Sequence, residues 1–152
     1  MGYNVAMGYD YTLKIDVQDY DKNKASRIIR IAGSESLDDL CEAIMFAFSF
    51  IHEHSYEYLM DNNIPSDKNY TSFDDDRPST NVPIDSLHLK KGQVITLHYD
   101  FGDDWMFKIK VKKIYKTDYL HPWFIVDGRG FVLQYPPSEI DDEEGETAEI
   151  VK

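Results

Sequence analysis

The sequence predicts an α+β fold in which a mostly antiparallel sheet carries one main helix, and three observations predict it. Short segments that alternate apolar and polar residues recur along the chain, which is the pattern of half-buried strands. One stretch near residue 40 spaces its apolar residues for a helix instead. The aromatic share of 14%, with 11 Tyr and 8 Phe, favours a packed core because aromatic side chains bury large areas.

The first two strands are predicted to form a hairpin. Residues 9–17 alternate cleanly, and the residues on one face are Tyr9, Tyr11, Leu13, Ile15 and Val17. The polar run 19–24 is typical of a turn, and residues 27–31 follow as a second strand. Because the connection is short, we expect the second strand to pair antiparallel with the first.

The main helix is predicted to begin after Ser36 and to run to about residue 50. Ser36 is a suitable N-cap, and Asp38 and Asp39 lie in the first turn, where carboxylates are favourable. The stripe that faces the sheet contains Leu37, Leu40, Cys41, Ile44, Met45 and Phe48. Cys41 lies on that stripe, so we interpret it as a small core residue and not as a nucleophile.

The middle of the chain contains a third strand and a long polar segment. Residues 54–60 alternate again, with Tyr56 and Tyr58 on one face. The polar segment 61–82 is long for a compact domain, which indicates either a functional flap or a mobile loop. Residues 83–89 are predicted to hold one short helical turn.

A central hairpin is predicted at about residues 93–115. A three-residue loop, 102–104, joins two strands whose inward residues are all apolar. The predicted pairs are Phe101 with Trp105, Tyr99 with Phe107, Leu97 with Ile109, and Ile95 with Val111. A slip of one residue would turn every pair outward, so the inward face is strongly specified. Alternation fails after Val111, which predicts a β-bulge near Lys112 and Lys113.

The end of the chain reads as a second turn followed by an acidic tail. Two short apolar runs, 123–126 and 131–135, flank residues 127–130, which predicts a turn or hairpin there. Two prolines then end the sheet. We expect a single domain over residues 1–137 and a disordered tail over residues 138–152, which holds seven acids and one base.

The 99–105 segment carries a family resemblance. Tyr99-Asp100-Phe101-Gly102-Asp103-Asp104-Trp105 resembles the Y-D-F-G-D-x-W signature of the plasmid pRiA4b ORF-3-like family. Other segments are similar in order and spacing: the strand at 11–14, the helix at 37–50, the strand at 54–58, the 127–130 turn and the 136–137 proline pair. The resemblance spans residues 9–137. It implies an α+β domain found in bacteria and on mobile elements, and it implies no mechanism.

The chain departs from that family pattern in two places. Ile29-Arg30 stands where the family often has W-R after its first strand. Val126 and residues 138–140 stand where the family often places cysteines near its late turns. A redox or metal role linked to those cysteines is therefore not implied for this chain, whose one cysteine also excludes an intrachain disulfide.

Composition leads us to expect a cytoplasmic protein. The first eight residues lack the features of a secretory signal, and no run of about 18 apolar residues is present to span a membrane. The net charge is −12, and half of it belongs to the tail. An acidic body disfavours non-specific binding to nucleic acid, which depends on contacts of Lys and Arg with phosphates.

Carboxylates crowd the 99–105 segment, where Asp100, Asp103 and Asp104 lie close in sequence. Oxygen ligands of this kind hold Mg²⁺ or Ca²⁺, and a bound divalent cation could support phosphodiester hydrolysis. The alternative is structural, since Asp is a turn residue whose side chain bonds nearby backbone N–H groups. The spacing matches no known cation loop, so we favour the structural interpretation and predict no cofactor.

Two further residues are candidate binding residues. His54 lies at the start of the third strand, and Arg129 lies in the predicted 127–130 turn. His52 and His54 are close in sequence, but at a helix end and the following strand we expect them to diverge. The other three histidines are scattered, whereas a zinc site needs three or four convergent ligands.

A basic face is predicted on the return strand of the hairpin, where Lys108, Lys110 and Lys112 point outward. Such a face could contact nucleic-acid phosphates. The opposite strand is expected to place three polar residues beside these lysines, namely Thr96, His98 and Asp100. A solvated face with local ion pairs is therefore the favoured interpretation.

The function we expect from the sequence is that of a non-catalytic binding or adaptor module with a protein partner, in a mobile-element or DNA-transaction setting. No nucleophile motif, Gly-rich phosphate loop or zinc-protease signature occurs. Two alternatives remain open: a metal-dependent hydrolase that uses Asp100, Asp103 and Asp104, and a nucleic-acid binder that uses the face of Lys108, Lys110 and Lys112.

Overall fold

The protein is described by a computed structural model that places residues 8–60, 68–117 and 122–135. These residues form a mostly antiparallel seven-stranded sheet and one α-helix, in the strand order β4-β3-β5-β6-β1-β2-β7. The elements are β1 (Gly8–Gln18), β2 (Lys24–Ala32), α1 (Leu37–Phe48), β3 (Tyr56–Leu59), β4 (Tyr70–Thr71), a 3₁₀ turn (Ile84–Leu87), β5 (Val94–Tyr99), β6 (Trp105–Thr117) and β7 (Trp123–Arg129). No helix in the described ranges is long and apolar enough to cross a membrane.

The core lies between α1 and one face of the sheet. Strands β1 and β2 pair antiparallel, as predicted, and the inward residues of β1 from Tyr11 to Val17 are buried. The predicted helical stripe is buried against them, and Cys41 is completely enclosed. Burial raises the pKa of the Cys41 thiol, so it stays protonated and packs as a small apolar residue.

Helix α1 begins where the sequence predicts and ends two residues earlier. Ser36 Oγ accepts a hydrogen bond from the N–H of Asp39 at 3.0 Å, and the carboxylate of Asp39 accepts from the N–H of Ser36 at 2.9 Å. This reciprocal pair is a capping box. The chain leaves the helix at Ser49, whose φ is 61°. That exit lets Phe50 pack edge-on against Trp105, with ring centroids 4.8 Å apart.

The pairing of β5 with β6 keeps the predicted face but not the predicted register. Tyr99 pairs with Trp105, Leu97 with Phe107, and Ile95 with Ile109. The prediction was therefore wrong by two residues, and the connecting turn is 100–104 instead of 102–104. Phe101, predicted to point inward, is 41% exposed. A shift of two residues preserves the face of every side chain, so the apolar pattern alone could not detect it.

The predicted bulge in β6 is confirmed at Lys112. Thr12 of β1 pairs with Lys113, whereas the next residue, Leu13, pairs with Val111. Lys112 is therefore the extra residue of a β-bulge.

The predicted turn at residues 127–130 is wrong, because β7 continues through Arg129. Ile28 of β2 pairs with Asp127, and Ser26 pairs with Arg129. The guanidinium of Arg27 donates to the carbonyl oxygens of Arg129 and Gly130, both at 3.1 Å, and this holds the strand against β2. Residues 131–135 contain no strand.

The polar segment is partly described. Residues 61–67 lie outside the described residues, as does the predicted tail at 138–152. Residues 68–82 form β4 and then reach the start of α1, where the N–H of Leu37 donates to Val82 O at 3.1 Å. Thr80 Oγ1 donates to the carboxylate of Asp38 at 2.5 Å. This part of the segment therefore supports the helix N-terminus. The short helical turn predicted next is confirmed at Ile84–Leu87.

Candidate functional site

Two neighbouring features of the sheet hold most of the candidate residues. We call residues 100–104, the turn between β5 and β6, the tip. We call the sheet surface opposite α1 the open face, because most outward side chains of β5, β6, β1 and β2 are half-buried or exposed there, although Asp10 is buried. The open face ends at the tip.

Asp100 shapes the tip. Its carboxylate is only 9% exposed, and Oδ1 accepts hydrogen bonds from the N–H groups of Gly102 at 3.0 Å and Asp103 at 3.3 Å. Its own N–H donates to Ser55 O at 3.0 Å, and its φ of 69° turns the chain out of β5. These contacts support the structural role that we favoured for this residue.

His54 is brought to Asp100 by the loop before β3. His54 Nε2 lies 3.5 Å from Asp100 Oδ2 and 3.9 Å from Glu53 Oε2. The first separation is an ion-pair distance, yet this nitrogen is buried and makes no hydrogen bond with a described residue. The Tyr99 hydroxyl fixes the same loop, because it accepts from the N–H groups of Glu53 at 2.7 Å and His54 at 3.0 Å. The loop and the tip thus share one anchoring cluster.

His98 joins the tip to β3 through two carboxylates. Its Nε2 lies 2.7 Å from Asp104 Oδ1, and its Nδ1 lies 2.8 Å from Glu57 Oε2. A carboxylate only accepts hydrogen bonds, and a neutral imidazole has one N–H. Both contacts can therefore be hydrogen bonds at the same time only when both nitrogens of the His98 ring carry a proton.

Two residues of this arrangement were missed by sequence reasoning. Glu57 alternates outward in β3, but its contact with His98 depends on the pairing of β3 with β5, which the sequence did not predict. Phe73 lies in the polar segment and packs edge-on against Phe101 at 5.3 Å. The Phe101 ring also packs against His98 at 4.7 Å. Only the aromatic character of Phe73 within a polar run could have indicated a contact.

The carboxylates of the tip do not converge. Asp100 points to His54, Asp104 points to His98, and Asp103 is exposed. Within the ranges that the structure describes, no group of three His, Cys, Asp or Glu residues has an arrangement suited to a metal ion. Arg129 lies at the end of β7 beside Ser26, three strands away from β6 in the sheet. It does not join the tip.

Tyr135 lies beside this cluster and has a shifted pKa. Partial burial, together with a hydrogen bond to Glu53 and the negative charge of that carboxylate, raises the pKa of Tyr135 to about 12. The Tyr135 hydroxyl donates to Glu53 Oε2 at 3.0 Å. The phenol therefore stays protonated at neutral pH and acts as a donor.

The predicted lysine face is present on β6. Lys108 lies between Thr96 of β5 and Asp16 of β1, and Lys110 lies between Val94 and Lys14. The expected neighbour Thr96 is confirmed. The other two expected neighbours are wrong, because His98 pairs with Met106 and Asp100 belongs to the tip. The two-residue register shift is the reason for both errors.

Other open-face side chains limit what this surface can contact. Val94 and Met106 are exposed aliphatic neighbours of the lysines. The Tyr115 ring is covered by the Arg30 guanidinium, 4.6 Å from the ring centroid, and Arg30 also pairs with Asp10 at 3.1 Å. The surface around Lys108 and Lys110 therefore combines cationic and aliphatic side chains, and the Tyr115 ring is already engaged by Arg30.

Comparison with known proteins identifies relatives without a described activity. The family model described as "Plasmid pRiA4b ORF-3-like protein" matches residues 9–148. A crystal structure of a "Protein of Unknown Function MM3350 from Methanosarcina mazei Go1" is similar, with a TM-score of 0.71 and 20% sequence identity over 95% of this chain and 89% of that chain. At that identity the similarity establishes the fold alone. No curated protein matches the chain.

Proposed function

The chain belongs to the plasmid pRiA4b ORF-3-like family, and we propose that it is a non-catalytic binding module whose open face receives an acidic, partly aliphatic segment of a partner protein. The observation that carries this proposal is the concentration of lysines on one sheet face of a protein whose net charge is −12. If the lysines were distributed at random over the surface, each would have acidic neighbours, because Asp and Glu are far more numerous than Lys and Arg.

The charge of the open face favours an acidic ligand. Lys108, Lys110, Lys112 and Lys113 are all exposed. Within the described part of the chain, none of them lies at ion-pair distance from a carboxylate. The nearby Asp16 pairs with Lys14 instead, whose Nζ lies 3.8 Å from Asp16 Oδ1. Each exposed lysine is therefore available to a partner, at about 0.2–1 kcal/mol for each ion pair formed.

The apolar side chains around Lys108 and Lys110 favour a peptide over a nucleic acid. Binding of single strands commonly relies on exposed aromatic rings on which bases stack. The apolar side chains next to Lys108 and Lys110 are those of Val94 and Met106, which are aliphatic, and the Tyr115 ring is occupied by Arg30. A protein segment that alternates acidic and aliphatic side chains matches this surface better.

The test measures binding of a labelled peptide that alternates Glu and Val, by fluorescence anisotropy at low and at physiological salt. We expect saturable binding that weakens as salt rises, because the ion pairs are exposed. The Lys108→Glu/Lys110→Glu variant should bind roughly 30-fold more weakly, since it loses two ion pairs and gains two repulsions, about 2 kcal/mol in all.

The matched control is Lys22→Glu/Lys90→Glu, which changes the net charge equally at two exposed turns. This variant should bind as the wild type does. Equal binding of a Lys–Val peptide, or no difference between the two double variants, would contradict the proposal. Tighter binding of a single-stranded oligothymidine than of the Glu–Val peptide would favour the nucleic-acid alternative.

A further inference from the structure

The second exposed region is the edge of the sheet at β7. This strand is last in the strand order and pairs only with β2 among the described strands. Edge strands present unpaired backbone groups, and proteins commonly protect them with Lys or Pro. No Lys or Pro occurs between Trp123 and Arg129, and the first four residues of the strand are all apolar.

Apolar side chains surround this edge on both faces of the sheet. On the open face, Phe124 lies beside Arg30 and is 44% exposed. On the helix face, Trp123 packs against Phe46 of α1 at 5.6 Å, and Phe46 is 67% exposed. Val126 is 53% exposed next to them. Large apolar groups that cluster at an exposed edge mark an interaction site.

The backbone of β7 determines which groups are available at the edge. The N–H of Ala32 donates to Pro122 O at 3.0 Å, so the carbonyl of Pro122 points toward β2. In an antiparallel strand, the backbone N–H and C=O groups of successive residues point alternately to one side of the strand and to the other. The backbone N–H and C=O of Phe124 therefore point toward β2, and those of Trp123 and Ile125 point away from β2, to the outer edge of the sheet. A bulge follows at Val126, since Ile28 pairs with Asp127 and Ile29 with Ile125, and it ends the regular edge.

We propose that this edge pairs with the same edge of a second copy, as an antiparallel β7–β7 contact centred on Phe124. In this register, Trp123 of each chain pairs with Ile125 of the other and exchanges both backbone hydrogen bonds. The two Phe124 rings meet on the open face, and Trp123 and Phe46 extend the apolar contact on the helix face. The contact is two-fold symmetric and isologous, and it joins the two sheets into one.

A second copy fits this edge better than an unrelated strand for two reasons. The regular edge is only three residues long, and two-fold symmetry doubles its hydrogen bonds and its aromatic contacts. The charged residues of β7, Asp127 and Arg129, lie beyond the bulge, so no charged residue of the strand faces its own copy across the paired residues. Net charges of −12 repel each other, so added salt should strengthen the contact. That response is opposite to the one expected for peptide binding to the open face.

The experiment is sedimentation equilibrium of the full chain over a roughly hundredfold concentration range, at low and at moderate salt. We expect the mass to rise from the 17.7 kDa of one chain to twice that value. The Phe124→Lys and Phe124→Glu variants should each remain monomeric, because like charges then face each other across the symmetry axis. An equimolar mixture of the two variants should form dimers again, since Lys now faces Glu.

The control is Tyr20→Lys, a change at an exposed aromatic residue in the β1–β2 turn, which should dimerise as the wild type does. Circular dichroism of each variant shows whether its fold is retained. A wild-type chain that stays monomeric throughout overturns the proposal. A Phe124→Lys variant that still dimerises, or a mixture that stays monomeric, overturns the assigned register. Because peptide binding is measured separately and has the opposite salt response, either proposal can fail without the other.

Discussion

Replacing Asp100 with Ala tests whether the tip is held by one carboxylate. The substitution removes the acceptor of two backbone N–H groups, those of Gly102 and Asp103. A hydrogen bond to a charged acceptor contributes about 1.5–3 kcal/mol when buried, and the longer 3.3 Å contact contributes less. Because the tip is partly open to water, we assign about 2 kcal/mol to the two hydrogen bonds taken together.

Two further effects modify that value. Ala has no side chain to stabilise the left-handed conformation at φ 69°, which costs about 1 kcal/mol more. Loss of the 3.5 Å contact with His54 adds little, since the His54 side chain is 34% exposed and solvent screens the interaction. Asp100→Ala should therefore lower the free energy of unfolding by about 3 kcal/mol, which for a chain of this size shifts Tm by roughly 6–12 °C.

The assay is urea denaturation followed by tryptophan fluorescence, to which Trp105 contributes from its buried position directly after the tip. Asp100→Asn should cost about 1 kcal/mol, because Asn keeps an acceptor oxygen and tolerates positive φ. Asp103→Ala is the matched control, and its exposed side chain should change stability by less than about 0.5 kcal/mol. If Asp100→Ala and Asp103→Ala unfold at the same urea concentration, the carboxylate does not hold the tip.

Two other predictions concern the backbone and the buried tyrosines. Gly130→Ala should cost about 2–4 kcal/mol, because φ is 70° and a Cβ would lie 2.4 Å from Lys24 O. Gly92→Ala isolates the strain of positive φ, since its added Cβ meets nothing within 4 Å, and should cost only about 1 kcal/mol; equal urea midpoints for the two variants would refute the clash. Burial, and for Tyr56 a hydrogen bond to Asp38, raise the pKa values of Tyr56 and Tyr58. Above about pH 10 the unfolded chain binds fewer protons than the folded one, so stability should fall as pH rises further. Urea midpoints at pH 8 and pH 11 check this, and Tyr56→Phe should reduce the drop; a midpoint that rises with pH would contradict the assignment.

Side-chain periodicity determined the faces of the elements. The alternation in β1 and β5 and the helical stripe of α1 each predicted the buried residues, because the periods of a strand and a helix are fixed by backbone geometry. The cap at Ser36 and the bulge at Lys112 were also predicted, since both depend on residues that are near in sequence.

The register of β5 with β6 and the course of β7 could not be predicted in this way. A shift of two residues leaves every side chain on its face, so alternation does not decide between the two registers. The observed register is held by Asp100, whose N–H donates to Ser55 O and whose carboxylate accepts from the N–H of Gly102. Asp127 and Gly128 resembled a turn, yet β7 runs through them because Arg27, more than one hundred residues away in sequence, bonds the carbonyl of Arg129.

The candidate site also has features that follow from the local sequence and features that depend on the tertiary structure. By itself, the sequence determined that an acidic tip and an outward row of lysines exist on one hairpin, because those features follow from local composition and alternation. Only the tertiary structure decided that His54 meets Asp100, that Glu57 and Asp104 share His98, and that Lys110 lies beside Lys14. Each of these contacts joins strands or loops whose pairing depends on the packing of the whole sheet, and no local pattern of residues carries that information.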